Sequence, residues 1–144
     1  MPFLSKFSGR LMIESLALAI VVLAAVYLIG LAAASVYAPA KTTKFLNSFA
    51  GSARVHYMEV GIRLIVGAAI VLAAPSMLYA SVFSLFGWII VVTSIMLLLL
   101  PWRWHQRFAQ IVVPPLTKRV WLFGLFSFPL GGVILLAIFY RGTA

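Results

Sequence analysis

The chain has 144 residues, of which 65% are hydrophobic and 9% are charged, and its mean hydropathy is +1.16. Soluble domains have about 45–50% apolar and about 25% charged residues, so this composition excludes an ordinary soluble fold. The chain has no cysteine, which excludes disulfides and thiolate chemistry. Its net charge of +9 comes from basic residues that are scattered between apolar blocks, so we expect these residues to contact a lipid bilayer and not nucleic acid.

The first apolar block, at about 13–37, predicts a transmembrane helix that ends before Pro39. The block is longer than the roughly 7–15 apolar residues of a signal peptide, so we expect it to be retained. Within it, Glu14 follows Arg10 by four residues, and we expect the two to form an ion pair at the membrane interface. The alternative is that Glu14 binds an arginine on another helix.

The loop after this span is expected to continue through an amphipathic helix into the second span. At about 100° per residue, seven positions share an arc of about 80° on one helical face. They are Phe45, Phe49, Ser52, His56, Glu59, Arg63 and Gly67. This face begins aromatic, becomes polar and ends small, which predicts packing against other helices and not against lipid.

His56, Glu59 and Arg63 of this face form a candidate intramembrane polar network, with which we group Arg10 and Glu14. Glu59 and Arg63 can pair at i,i+4, and His56 can donate to the Glu59 carboxylate. We favour a structural network over a protein–protein contact, a proton relay, a metal site or a haem site. His56 and Glu59 give two ligands where catalytic zinc usually has three, and nothing directs His105 towards them, so we expect no metal and no cofactor.

Residues 64–102 are uncharged, and 39 residues are just long enough for two spans and a tight turn. With the turn at Pro75, counting about 20 residues back begins the second span near Arg54, so we expect spans at about 54–74 and 77–100. Pro75 favours a turn at 75–76, because proline disfavours helix in the residue before it and suits the start of a new helix. The alternative turn lies at 79–84. The first turn places His56, Glu59 and Arg63 within the membrane-embedded length, and the second places them at the interface, where Arg63 can snorkel.

The third span ends in "PWRWHQRF" and the fourth is expected at about 120–140. Aromatic and basic residues at these ends suit lipid headgroups. The expected headgroup contacts are Trp102, Arg103, Trp104, His105, Arg107, Lys118, Arg119 and Trp121. Because the 1–2 and 3–4 loops carry more basic residues than the termini, the positive-inside rule predicts that both loops are cytoplasmic and that the termini lie on the opposite side.

The pattern His-x-x-Glu-x-x-x-Arg in span two and Pro-Trp-x-Trp-His-x-x-Phe after span three resembles small bacterial inner-membrane proteins, which implies a location in the inner (cytoplasmic) membrane. No catalytic or nucleotide-binding motif is present, so we do not expect an enzyme. We predict an all-α, polytopic bundle of four transmembrane helices in a single membrane domain. The predicted function is that of a non-catalytic accessory, assembly or stabilising subunit of a larger membrane complex, for example a respiratory or photosynthetic one. The alternative is a small oligomeric transporter or channel that uses His56, Glu59 and Arg63.

Overall fold

A computed structural model shows an all-helical chain. It describes residues 2–49, 52–104, 106–108, 111 and 118–140, without the side chains of residues 2–7 and 49. The helices are α1 (Pro2–Tyr37), α2 (Pro39–Phe49), α3 (Ala53–Ala73), α4 (Ala80–Leu99) and α5 (Trp121–Phe139). Four stretches of the described chain are long and apolar enough to cross a membrane, which confirms the prediction of four such helices: Ser8–Tyr37, Ala53–Ser76, Ala80–Leu99 and Trp121–Phe139.

The turn between α3 and α4 reverses the chain just after Pro75. A 3-10 turn at Ala74–Ser76 follows α3, Met77 is extended and buried, and Tyr79 has a φ of 59° immediately before α4. A left-handed conformation is uncommon for a residue other than glycine, and here it completes the reversal. The turn therefore extends from the position predicted at 75–76 to the start of the alternative position at 79–84. The start of α3 at Ala53 is the one expected for a turn at Pro75.

The helices pack mainly in neighbouring pairs. The contact between α1 and α5 is the most extensive, followed by that between α3 and α4, and α1 also packs against α3. Direct contact between α4 and α5 is marginal in the described part of the chain. The packing order is therefore α5, α1, α3, α4. The start of α1 and the end of α5 lie beside the turn after α3, and the other ends of these two helices lead into the 1–2 and 3–4 loops.

The apolar core lies in the half of the molecule next to the turn at Pro75. Its buried members come from the middle of α1, the end of α3, the turn, the start of α4 and the end of α5. They are Ala17, Val21, Ala25, Ala69, Ile70, Ala73, Ala74, Met77, Phe83, Ile134 and Ala137. A hydrogen bond from the Leu78 N–H to the Ala137 carbonyl, 2.8 Å long, ties the turn to α5. We call this half the turn end and the opposite half the basic end.

Buried hydroxyl groups bond to carbonyls of their own helices. Ser35 donates to Ala32 at 2.7 Å and Ser94 donates to Ile90 at 2.7 Å. A hydroxyl in apolar surroundings takes a carbonyl three or four residues earlier in this way. The hydrogen-bonding needs of these two hydroxyls are therefore met within their own helices.

Candidate functional site on the polar face of α3

The first turn of α3 is set by Ser52, which separates the predicted polar face into two helices. Ser52 is extended, with φ −155° and ψ 152°, and its Oγ accepts a hydrogen bond from the Val55 N–H at 3.3 Å. The expectation of one continuous helical face from Phe45 to Gly67 is therefore wrong at this point, because a serine that caps a helix takes a non-helical backbone. Phe45 is 43% exposed on α2, and the side chain of Phe49 lies outside the described part of the chain.

His56 is buried in the first turn of α3, at 1% exposure. Its ring centroid lies 5.3 Å from that of Tyr57 and 5.7 Å from that of Trp102. Because α3 and α4 are antiparallel, the segment after α4 returns to the start of α3, and this brings the two distant residues together. Trp102 was expected only at the headgroups, and the structure also gives it a contact with His56.

Glu59 and Arg63 form an ion pair on α3, with 3.8 Å between Glu59 Oε1 and Arg63 Nη1. Their side chains are 34% and 43% exposed. Both residues lie within about 80° of Gly67 around the helix, so they point to the same side as residues that pack against α4. The pair is thus turned towards the neighbouring helices and is still half open.

Tyr27 of α1 lies near enough to Glu59 to interact with its carboxylate electrostatically. It is half exposed, at 52%. Sequence reasoning missed this neighbour, because Tyr27 is an ordinary apolar-block residue until the antiparallel register of α1 and α3 is known. The register alone could have indicated it, since residues near the end of α1 face residues near the start of α3.

Gly67 lies directly against α4. A Cβ at Gly67 would come within 2.9 Å of Ile90 Cγ2, and a Cβ at Gly87 would come within 3.0 Å of the Gly67 carbonyl oxygen. Two glycines therefore face each other at a close approach of α3 and α4, as is common in packed membrane helices. Gly87 was not singled out from the sequence, although its neighbours Phe83 and Ser94, also buried, share its helical face.

Arg10 and Glu14 form a second ion pair at the turn end. Arg10 Nε donates to Glu14 Oε1 at 3.4 Å, with side chains 80% and 32% exposed. They line a groove with Val71, about 12 residues or roughly 18 Å along α3 from Glu59. The five residues grouped as one polar network are therefore two separate groups at opposite ends of the molecule.

The aromatic and basic residues expected at lipid headgroups are mostly exposed at the basic end. Trp102 is half-buried, and His105 lies outside the described residues. The exposed ones are Arg103, Trp104, Arg107, Lys118, Arg119 and Trp121. Among the described residues, no three histidine, aspartate or glutamate side chains are grouped so that they could hold a metal ion.

Compared with models of protein families, with curated proteins and with solved structures, the chain has no match in any of the three.

Proposed function

We propose that the chain is a small integral membrane protein that serves as a non-catalytic accessory, assembly or stabilising subunit of a larger membrane complex, such as a respiratory or photosynthetic one. Its setting in this proposal is the bacterial inner membrane, with the 1–2 and 3–4 loops in the cytoplasm and the termini on the opposite side. Four helices of sufficient length and apolarity support the membrane setting, and the excess of basic residues in the two loops supports the orientation.

The half-open Glu59–Arg63 pair is the observation that supports a subunit role. It lies in the second and third turns of Ala53–Ser76, a stretch of 24 residues and about 36 Å, which is longer than the roughly 30 Å of a hydrocarbon core. Ionised groups at membrane depth are costly unless protein or water covers them. With 34% and 43% of these side chains open, cover from another polypeptide would stabilise them.

The test is site-specific photo-crosslinking in the native membrane, followed by gentle detergent extraction. A crosslinker at Tyr27, beside Glu59, is expected to give a protein adduct of defined mass, and Glu59→Gln is expected to abolish that adduct. A crosslinker at Val92, which is 49% exposed on α4, is the matched control and is expected to capture lipid only. Isolation as a lone monomer, with no protein adduct from Tyr27, would contradict the proposal.

A small oligomeric transporter or channel is the second candidate, and the grouping of Tyr27 with the Glu59–Arg63 pair favours it. Hydroxyl, carboxylate and guanidinium groups together can relay a proton or bind an ion. In this case reconstituted vesicles would show a pH-dependent flux that Glu59→Gln removes. The absence of flux, or a flux that Glu59→Gln leaves unchanged, excludes this candidate and leaves the subunit role standing.

A further inference from the structure

A groove at the turn end joins an ion pair to apolar walls. It has a volume of about 560 Å³ and runs between α1 and the end of α3, with Arg10 and Glu14 on one side. Its other lining residues are Gly9, Ile13, Val71, Leu72 and Pro75. Small-molecule sites typically have volumes of about 300–1,000 Å³, so the groove is large enough for a ligand of moderate size.

In a bilayer crossed by these helices, we infer that the groove lies at the level of one membrane surface. The 24 residues from Glu14 to Tyr37 match the 24 residues of Ala53–Ser76, and each stretch is slightly longer than a hydrocarbon core. The groove also places Arg10 and Glu14 beside Pro75, where α3 ends. A phospholipid in the leaflet at the turn end therefore has its headgroup beside the ion pair and its acyl chains beside the apolar walls.

The ion pair leaves binding capacity on both partners. The hydrogen bond between them uses Arg10 Nε and Glu14 Oε1. A guanidinium has five N–H donors, so four remain for a phosphate, and the second carboxylate oxygen of Glu14 can accept from an ammonium group. We propose that this groove binds a phosphatidylethanolamine molecule, with its phosphate on Arg10, its primary ammonium on Glu14 and an acyl chain along Val71 and Leu72.

The charges select this lipid over other lipids of the bilayer. A choline headgroup also carries phosphate and a positive charge, but its quaternary nitrogen has no N–H to donate to Glu14. An anionic lipid would gain from Arg10 and would be repelled by Glu14. A headgroup with phosphate and a primary ammonium complements both members of the pair at once, and the pair is open to it because Arg10 is 80% exposed.

The experiment reconstitutes the full chain into vesicles of equal phosphatidylethanolamine and phosphatidylcholine, extracts it gently and measures the retained lipids by native mass spectrometry. We expect the wild type to retain phosphatidylethanolamine with a preference of roughly tenfold, as one charge-assisted hydrogen bond provides. Glu14→Gln is expected to bring the two lipids to parity. Arg10→Gln is expected to lower the retention of both, because both contain the phosphate.

The matched control is Glu59→Gln, which removes the same charge from the other i,i+4 pair and is expected to leave the lipid preference unchanged. Circular dichroism of each variant verifies that the helices are intact. An unselective wild type, a Glu14→Gln variant that keeps its preference, or an equal effect of Glu59→Gln would overturn the proposal. Displacement of the bound lipid by excess inorganic phosphate would assign the site to free phosphate and overturn it as well.

This lipid site is independent of the proposed subunit role, because the two rest on ion pairs at opposite ends. If the Tyr27 crosslink is absent while the lipid preference is present, only the subunit role fails. If the crosslink is present while the lipid preference is absent, only the lipid site fails.

Discussion

A buried imidazole in the first turn of α3 links two segments that are far apart in sequence. His56 is almost completely enclosed, and the indole of Trp102 covers it from the segment that follows α4. Aromatic rings that pack in this tilted manner stabilise each other beyond the apolar area that they bury. The contact therefore holds the chain beyond α4 against the start of α3, at the basic end and outside the main apolar cluster.

We predict that His56 and Trp102 are energetically coupled. His56→Ala alone should lower the free energy of unfolding by about 2–4 kcal/mol, because it leaves a cavity. The double variant with Trp102→Ala should be less destabilised than the sum of the two by about 0.5–1.5 kcal/mol. The measurement is a double-mutant cycle in reversible detergent unfolding.

The control for this cycle pairs His56→Ala with Trp88→Ala, since Trp88 lies about 16 Å along α4 from Leu99, where the helix ends before Trp102. Those two effects should add. Equal coupling in both cycles would show that the ring contact has no particular role.

We predict that Ser52 caps α3 through its hydroxyl. Ser52→Ala should cost about 1 kcal/mol and speed hydrogen exchange at the Val55 amide, because that N–H loses its acceptor. Ser52→Asp should keep the protection, since a carboxylate also accepts at an N-cap. Ser48→Ala is the control, because its exposed hydroxyl donates to the Phe45 carbonyl at 2.6 Å and caps nothing. Equal protection of Val55 in all three variants would refute the cap.

At the scale of helices, close approach depends on glycines that face a neighbouring backbone. Gly124 and Gly131 of α5 are seven residues apart, and they meet Ala32 and Ala25 of α1, which are also seven residues apart. The opposite order of these contacts shows that the helices are antiparallel. A repeat of seven residues keeps one face of each helix against the other along the whole contact, so the small residues form a continuous seam.

We predict opposite signs for two neighbouring glycine substitutions in α5. A Cβ at Gly131 would lie 2.8 Å from the Ala25 carbonyl oxygen and 2.8 Å from Ile29 Cγ1, so Gly131→Ala should cost about 1–3 kcal/mol. A Cβ at Gly132 meets nothing within 4 Å, so Gly132→Ala should stabilise by about 0.5–1 kcal/mol. Thermal unfolding in one detergent measures both, and equal shifts would show that the seam is not tightly packed.

The helices were predictable from sequence where long apolar blocks are bounded by proline or by charge. Pro39 and Pro75 indicated two of the boundaries, and the four apolar blocks indicated the four long helices. The break at Ser52 was missed, because no residue there is a strong helix breaker and capping depends on a local backbone choice. The Arg10–Glu14 pair was expected from its i,i+4 spacing and is present, but its distance from Glu59 and Arg63 could not be predicted, since which polar residues meet depends on the packing order of the helices.

Over the whole molecule, most of the apolar core lies at the turn end, whereas most of the basic residues between the helices lie at the other end. The core closes the turn end, where Leu78 is hydrogen-bonded to Ala137, whereas the basic end has His56, the open Glu59–Arg63 pair and the basic loops. The proposed subunit role therefore uses the basic end, where the Glu59–Arg63 pair is 34% and 43% exposed.

We predict that the basic end faces the cytoplasm and that the turn end faces the opposite side of the membrane. Because the sequence has no cysteine, single cysteines can be introduced and labelled without background. Cysteines at Lys44 and Lys118 probe the basic end, and cysteines at Ser8 and Tyr79 probe the turn end; all four positions are exposed. If the basic loops are cytoplasmic, an impermeant maleimide should label Ser8→Cys and Tyr79→Cys in intact cells, and the other two only after permeabilisation. The inverted pattern would refute the orientation. Different labelling of two positions at the same end would refute the crossing of the membrane by α1, α3, α4 and α5, since an even number of spans returns the chain to the same side.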